Sequence, residues 1–316
     1  MTIQIDPYKN GKWKQLIVMA IICFPFLAAS CQDDNAPDPP SKEVSPDSDP
    51  PKVPVPGKQE GVDYFLPNID LSHWKVTLPI GRPTEVTPPE ILQYATNATL
   101  LPFMYNDSTD GSLVFYTYPG ATTTNTKYSR TELREQMVPG SNTTNWTFEQ
   151  GGRMKGTLAM ADISKDENGK YHRTIIMQIH GRLTNEQRDL IGEDDNNAPP
   201  VLKIYWNNEK VRVKTKELKD INATGTELLP VSAWTDDEGI TFDEKVGFEP
   251  FTLEVIASEG RLEVILNDKQ SLVYEGIHME KWSVFENYFK AGNYLVTQDE
   301  GAYAKVKYYA LEVSHP

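Results

Sequence analysis

From about residue 61 onward, apolar and polar positions alternate along most of the chain. Successive side chains of a strand point to opposite faces, so a period of two marks strands with one face toward a core. Nine segments carry this period: GRMKGTLAMADI, HRTIIMQIHG, PVLKIYWNN, KVRVKTKEL, FTLEVIAS, RLEVILN, SLVYEG, YFKAGNYLV and YAKVKYYALEVSH. They are rich in Val, Ile, Tyr and Thr, which fit a pleated surface. Turn signals separate them at Asn168-Gly169, Asn207-Asn208, Glu259-Gly260 and Asn267-Asp268. Helical spacing is confined to short turns expected in TPPEILQYA and RLTNEQRDL, and there is no fixed-period repeat. Many closely spaced strands predict an all-β fold, a jelly-roll β-sandwich of two antiparallel sheets. The concave sheet of such a sandwich is a natural groove for an extended polymer.

The first 60 of the 316 residues break the pattern. A basic patch (Lys9, Lys12, Lys14) precedes an apolar run from Leu16 to Ala29, too short for a good membrane span. Residues 1–31 therefore read as a secretory signal. Its end, LAASC, resembles a bacterial lipobox, which implies cleavage before Cys31 and a lipid on its sulfur. Residues 32–60 hold eight prolines and no aromatic residue, so they read as an extended tether and residues 61–316 as the folded domain. The acidic QDD after Cys31 resembles a surface-export signal of Bacteroidetes-type lipoproteins. The expected location is the outer membrane, on the cell surface or outside it, with the membrane reached only through the lipid.

Charge and cysteines narrow the chemistry. The chain carries −14 overall; the signal contributes +2 and the tether −4, which leaves −12 for the domain. That balance argues against a nucleic-acid partner, and a polyanionic substrate would need the domain's cations gathered in one place. The cysteines are Cys23 and Cys31 alone, so the domain has no disulfide, no Cys-ligated zinc and no cysteine nucleophile. A monomer without cofactor or metal is expected.

Residues 128–136, YSRTELREQ, place Arg130, Glu132, Arg134 and Gln136 at every second position. On a strand these four share one face. A solvated outer face explains alternating charge cheaply. A binding groove floored by fixed guanidinium forks explains it too, because arginine's planar fork suits carboxylates. Two further stretches bear on the choice. In MQIHG (177–181), Gln178 and His180 share a face while Met177 and Ile179 point to the core. In YFKAGNY (288–294), Tyr288, Lys290, Gly292 and Tyr294 share a face, with Gly292 a candidate bulge.

Together YSRTELRE, QIH and YFKAGNY resemble the three motif regions of polysaccharide lyase family seven, the alginate lyases. IDLSHWKVTLPIG (69–81) is similar to the family's first strand, and the resemblance runs from about Tyr64 to Val313. One departure is Leu295-Val296 after the last tyrosine, where many members carry Asn-Gln. The resemblance implies a jelly-roll fold and cleavage of alginate by β-elimination without a cofactor. Residue by residue it implies Arg130, Arg134, Gln178, His180 and Tyr294 as the catalytic set, with Lys290 and Tyr288 binding substrate. Ile179 between the glutamine and the histidine implies acceptance of guluronate-containing blocks.

The chemistry asks for such residues. β-Elimination removes the C5 proton of a uronate and expels the C4 oxygen, so charge builds on the carboxylate. Arg130 or Arg134, with Gln178, would stabilise it, and Glu132 is read as an orienter pairing both arginines. His180 can act as base and Tyr294 as acid or as both. The rivals are a lyase for another polyuronate such as glucuronan, a carbohydrate-binding jelly roll, and a jelly-roll glycoside hydrolase. The last needs carboxylates spaced as Glu-x-Asp-x-x-Glu; Glu193 and Asp195 begin that pattern, and Ala198 ends it. Segments 184–200 and 219–247 are expected as loops that set preference and product length.

Overall fold

A computed structural model describes residues 57–58, 65–123 and 126–316. The signal segment, Cys31 and most of the tether lie outside them. Gly57–Lys58, at the end of the tether, pairs with Phe65–Leu66. Two large sheets account for nearly everything else.

The groove sheet has nine strands: β1 (Trp74–Leu78), β2 (Thr84–Val86), β3 (Arg130–Glu135), β4 (Arg173–Arg182), β5 (Asn197–Asn207), β6 (Lys210–Leu218), β7 (Trp234–Asp236), β8 (Ile240–Lys245) and β9 (Glu286–Leu295). Their order is β7-β6-β5-β4-β9-β3-β1-β2, with β8 also on β6. All these pairings are antiparallel. The second sheet has eight strands and is built around Gly152–Ile163 and Ala304–Ser314; its one parallel pairing joins Asn68–Ile69 to the latter. Between the sheets lies one core, with Trp146, Trp206, Trp282, Phe115, Phe289 and Tyr308 among its fully buried side chains. Each large apolar side chain so buried contributes about 1.5–3 kcal/mol.

All nine alternating segments form strands. The hairpin turn after β5 falls one residue later than the Asn207-Asn208 signal: Asn208 and Glu209 take φ of 51° and 68°. Asn267 and Asp268, both at 52°, turn where expected. The helical turn in RLTNEQRDL is a short helix, Asn185–Ile191, started by a Thr184/Gln187 capping box and stopped by left-handed Gly192. The expected loops need correction. Segment 184–200 ends in the first residues of β5, and 219–247 contains β7 and β8. Both strands are short and lie at the sheet's edge, so alternation over three to six residues carried too little signal.

Candidate active site

Three strands side by side, β3, β9 and β4, bring the motifs together. Register places Arg134 opposite Lys290 and Lys290 opposite Gln178; it also places Tyr288 opposite His180. Arg130 lies opposite Tyr294, and Tyr294 opposite Ile175. The stripe in YSRTELREQ is therefore no solvated outer face. Glu132, Arg134 and Gln136 are buried, and Glu132 is only 1% exposed.

A bulge gives β9 its shape. The β4–β9 ladder loses register between Ile175/Met177 and Tyr294/Ala291. Gly292 sits there at φ 132°, and a Cβ would lie 2.8 Å from the Thr131 carbonyl oxygen, so only glycine fits. Its N–H donates to the Tyr308 hydroxyl, which donates to the Ile176 carbonyl. Asn293, fully buried beneath, accepts from Thr174 Oγ1 and donates to the carbonyls of Phe115 and Ala304. These bonds tie the bulge to the second sheet, and Tyr294 returns to the groove face.

Glu132 is the hub of the floor, with partners other than those expected. Its Oε2 forms an ion pair with Lys290, and its Oε1 accepts from Gln178 Nε2 at 2.5 Å. Arg130 is only a distant partner, Nε to Oε2 at 3.9 Å. Arg134 does not pair with it at all: it donates to the carbonyls of Glu135 and Asn142 and to Asn145 Oδ1. The physical reason is register. Lys290 and Gln178 reach Glu132 across the ladder, whereas Arg134 leans the other way, with its guanidinium 4.1 Å from the Tyr288 ring centre. Gln136 holds the adjoining loop through Asn142 and Gly140. Arg130 Nε is buried with no hydrogen-bond partner among the described residues, and its guanidinium lies over the Tyr294 ring. Its contact with the Glu132 carboxylate, at 3.9 Å, is too long for a hydrogen bond.

His180 is fixed twice. Its ring stacks on Tyr288, 5.2 Å between centres and 12° between planes. Its Nδ1 lies 2.9 Å from the Gly181 carbonyl oxygen. A carbonyl only accepts, so Nδ1 carries the proton and Nε2 keeps its lone pair. Burial, with Lys290 and both arginines nearby, pulls its pKa down to about 3, against the Gly181 bond. Tyr294 moves the other way: burial raises it, and Arg130 only partly offsets that. Lys290 falls to about 8 through burial, against the pull of Glu132. His180 and Tyr294 are separated by about five residues of β4 register. Arg130 lies within electrostatic reach of both.

The face sets the cations Arg130 and Lys290 within electrostatic reach of a neutral histidine, with Arg130 also beside a protonated tyrosine. A family model described as alginate lyase matches residues 69–315. This chain belongs to the alginate lyase family. It is a polysaccharide lyase with the jelly-roll sandwich of that group. Alginate lyase A1-II′, a member of polysaccharide lyase family 7, matches it with a TM-score of 0.61 at 28% identity, over 78% of this chain and 96% of that one. A variant of the same enzyme, altered at one histidine and one tyrosine and bound to a substrate written GGMG, matches at 0.60 and 26%, over 78% and 94%. An alginate lyase from Pseudomonas aeruginosa shares the fold, at 0.58 and 22%, over 78% and 100%. No curated protein matches the chain significantly.

Sequence reasoning overlooked several residues that hold this lyase's site. Glu135, on the back of β3, accepts from Trp146 Nε1 and from the Phe289 N–H, and its Oε1 meets His315 Nε2 at 2.6 Å. It thereby pins β9 between Tyr288 and Lys290. Asn293 and Tyr308 do the same for the bulge. A polar residue at a core position was the available signal for Glu135 and Asn293; nothing distinguishes Tyr308 from a packing tyrosine.

Proposed function

We propose that this lyase cleaves the 1,4-glycosidic bonds of alginate by β-elimination, acting within the polymer and favouring guluronate-containing blocks. The observation that carries the reading is a neutral His180, Nε2 open, and a protonated Tyr294 on one sheet face, both within electrostatic reach of Arg130. Arg130 and Gln178 bind the uronate carboxylate and stabilise the charge that develops on it. His180 Nε2 takes the C5 proton. The C5–H electrons form the C4–C5 double bond, the C4–O bond breaks, and Tyr294 gives its proton to the departing oxygen. In guluronate the C5 hydrogen and C4 oxygen lie on opposite sides, which suits two separate groups. In mannuronate they lie on the same side, so Tyr294 alone could serve both steps once deprotonated; its raised pKa disfavours that. A related lyase held with its substrate in a form altered at a histidine and a tyrosine supports the same two residue types.

Ile179 is fully buried, so its bearing on block preference acts through the placing of β4 and His180. A lipid on Cys31 and the 29-residue tether would let a monomer work at the outer membrane surface with a reach of up to roughly 90 Å. The test compares initial rates on purified mannuronate, guluronate and alternating blocks, following ultraviolet absorbance of the unsaturated ends with a strong chelator present. Rates highest on guluronate-containing blocks, with product size falling gradually from the polymer, are expected. A clear mannuronate preference, or products released only as monomers, would overturn those parts. Surface labelling of cells expressing the Cys31→Ser variant, with loss of membrane association expected, tests the anchor.

A further inference from the structure

The row of cations across the groove extends past the catalytic strands. Gln178 lies opposite Lys203, and Lys203 opposite Lys214. Lys216 is two residues along β6 and shares that face; directly opposite it, on the short strand β7, is Asp236. One carboxylate takes both flanking lysines: Asp236 Oδ2 meets Lys203 Nζ at 2.5 Å and Oδ1 meets Lys216 Nζ at 2.7 Å. Although burial alone would raise its pKa, the two lysines hold the Asp236 carboxyl below the usual range, so it is ionised.

Three features set this cluster apart from an ordinary surface pair. Its lysines are largely covered, with side chains 15% and 13% exposed, and they stand on the groove floor. Two cations share one anion, so a positive charge is left over. The edge strand does not depend on Asp236 for its place: the next residue, Asp237, accepts from the Thr215 N–H and hydroxyl. The opposite margin carries a single lysine–carboxylate pair. Lys75, opposite Arg134, donates at 2.6 Å to Glu85 of the other edge strand β2.

Spacing gives the cluster a place along the substrate. Strands lie about 4.8 Å apart, a distance comparable to the advance of one 1,4-linked pyranose, so a polymer crossing the strands advances about one sugar per strand. Lys203 is one strand from Gln178 and Lys216 two.

Resting on the reading of this groove as a polyuronate site, we propose that Lys203 and Lys216 form an outer subsite for a uronate carboxylate, two sugars from the cleaved bond, which the protein's own Asp236 carboxylate fills in the free enzyme. The incoming sugar exchanges one carboxylate for another of equal charge. The subsite therefore aligns a long chain while adding little net affinity, and Asp236 returns to the lysines as the product leaves.

The test is calorimetric binding of oligouronates of three and of six or more sugars, in a Tyr294→Phe background, with and without Asp236→Asn. Removing the competing charge should tighten binding of the long oligomer relative to the short one by about fivefold, the scale of one partly exposed ion pair. Lys203→Met should shift the same ratio the other way. Thermal melting of each variant separates these effects from loss of fold. An unchanged or reversed ratio in Asp236→Asn, or equal effects at both lengths, would overturn the subsite. The functional reading is judged separately by cleavage: a wild-type protein that binds oligouronates but releases no unsaturated product would sink that reading and leave the subsite to the binding ratio.

Discussion

Two faces of this molecule are written in nearly the same residues. On β3 and β9, Arg130, Glu132, Arg134 and Lys290 alternate with positions that face the core. On the outer face of the second sheet, Arg153, Lys155 and Glu254 do the same. There Glu254 pairs with Arg153 at 2.6 Å and Lys155 at 3.2 Å, while Lys155 also meets Asp268 at 2.7 Å. The partners of Glu132 are almost wholly covered; those of Glu254 are about a third exposed. Alternation reports which side chains share a face and is silent on what lies over that face. In the groove, burial moves His180 and Lys290 far from their ordinary pKa values. On the outer sheet, water screens the charges and they serve mainly solubility.

The comparison breaks hardest at turnover. His180→Ala and Tyr294→Phe should each lower kcat by about 10²–10⁴-fold or more, with the fold intact by circular dichroism. Glu254→Gln should leave kcat within error, and a large loss there would erase the distinction between the faces. Arg130→Ala should lower kcat together with kcat/KM, since the bond it offers strengthens as charge develops on the carboxylate.

Stability should separate the faces next. Glu132→Ala strands Lys290 without its carboxylate and should cost about 3 kcal/mol in a denaturant melt. Glu254→Ala on the outer sheet should cost under about 1 kcal/mol. Equal losses would mean that the groove pair is no more buried in solution than the surface one.

Two histidines sharpen the comparison with opposite signs. His180 has a folded pKa of about 3 against an ordinary 6.5, so the unfolded chain binds more protons between those values. Its contribution is present above about pH 6.5 and is lost as pH falls toward 3. For His315 burial works downward, but the bond and charge of Glu135 raise it overall. Its contribution is present below about 6.5 and is lost as pH rises through the raised value. Melting temperatures at pH 5 and pH 8 should therefore show a smaller acid loss in His180→Ala and a larger one in His315→Gln than in the wild type.

Much of this was legible beforehand for a physical reason. The strands are long and strictly alternating, so YFKAGNY and MQIHG placed their polar side chains on one face without knowledge of the partner strands. Gly292 was readable as a bulge because a glycine inside a strand has few other uses. The partners of Glu132 were not readable: they depend on β9 lying between β3 and β4, a long-range order that no local pattern contains. Nor was the bracing of Arg134 by Asn142 and Asn145, because loop contacts follow no period. The short edge strands β7 and β8, and with them the Asp236 cluster, fell in a stretch expected to be a loop.

These groove residues are proposed to break alginate by elimination. The most direct test is to digest alginate in water enriched in heavy oxygen and weigh the products by mass spectrometry. Elimination adds no water across the bond, so every new non-reducing end should be unsaturated and no heavy oxygen should be gained on cleavage beyond slow exchange at the reducing end. Saturated products carrying one heavy oxygen per cleaved bond would mean hydrolysis and would rule elimination out.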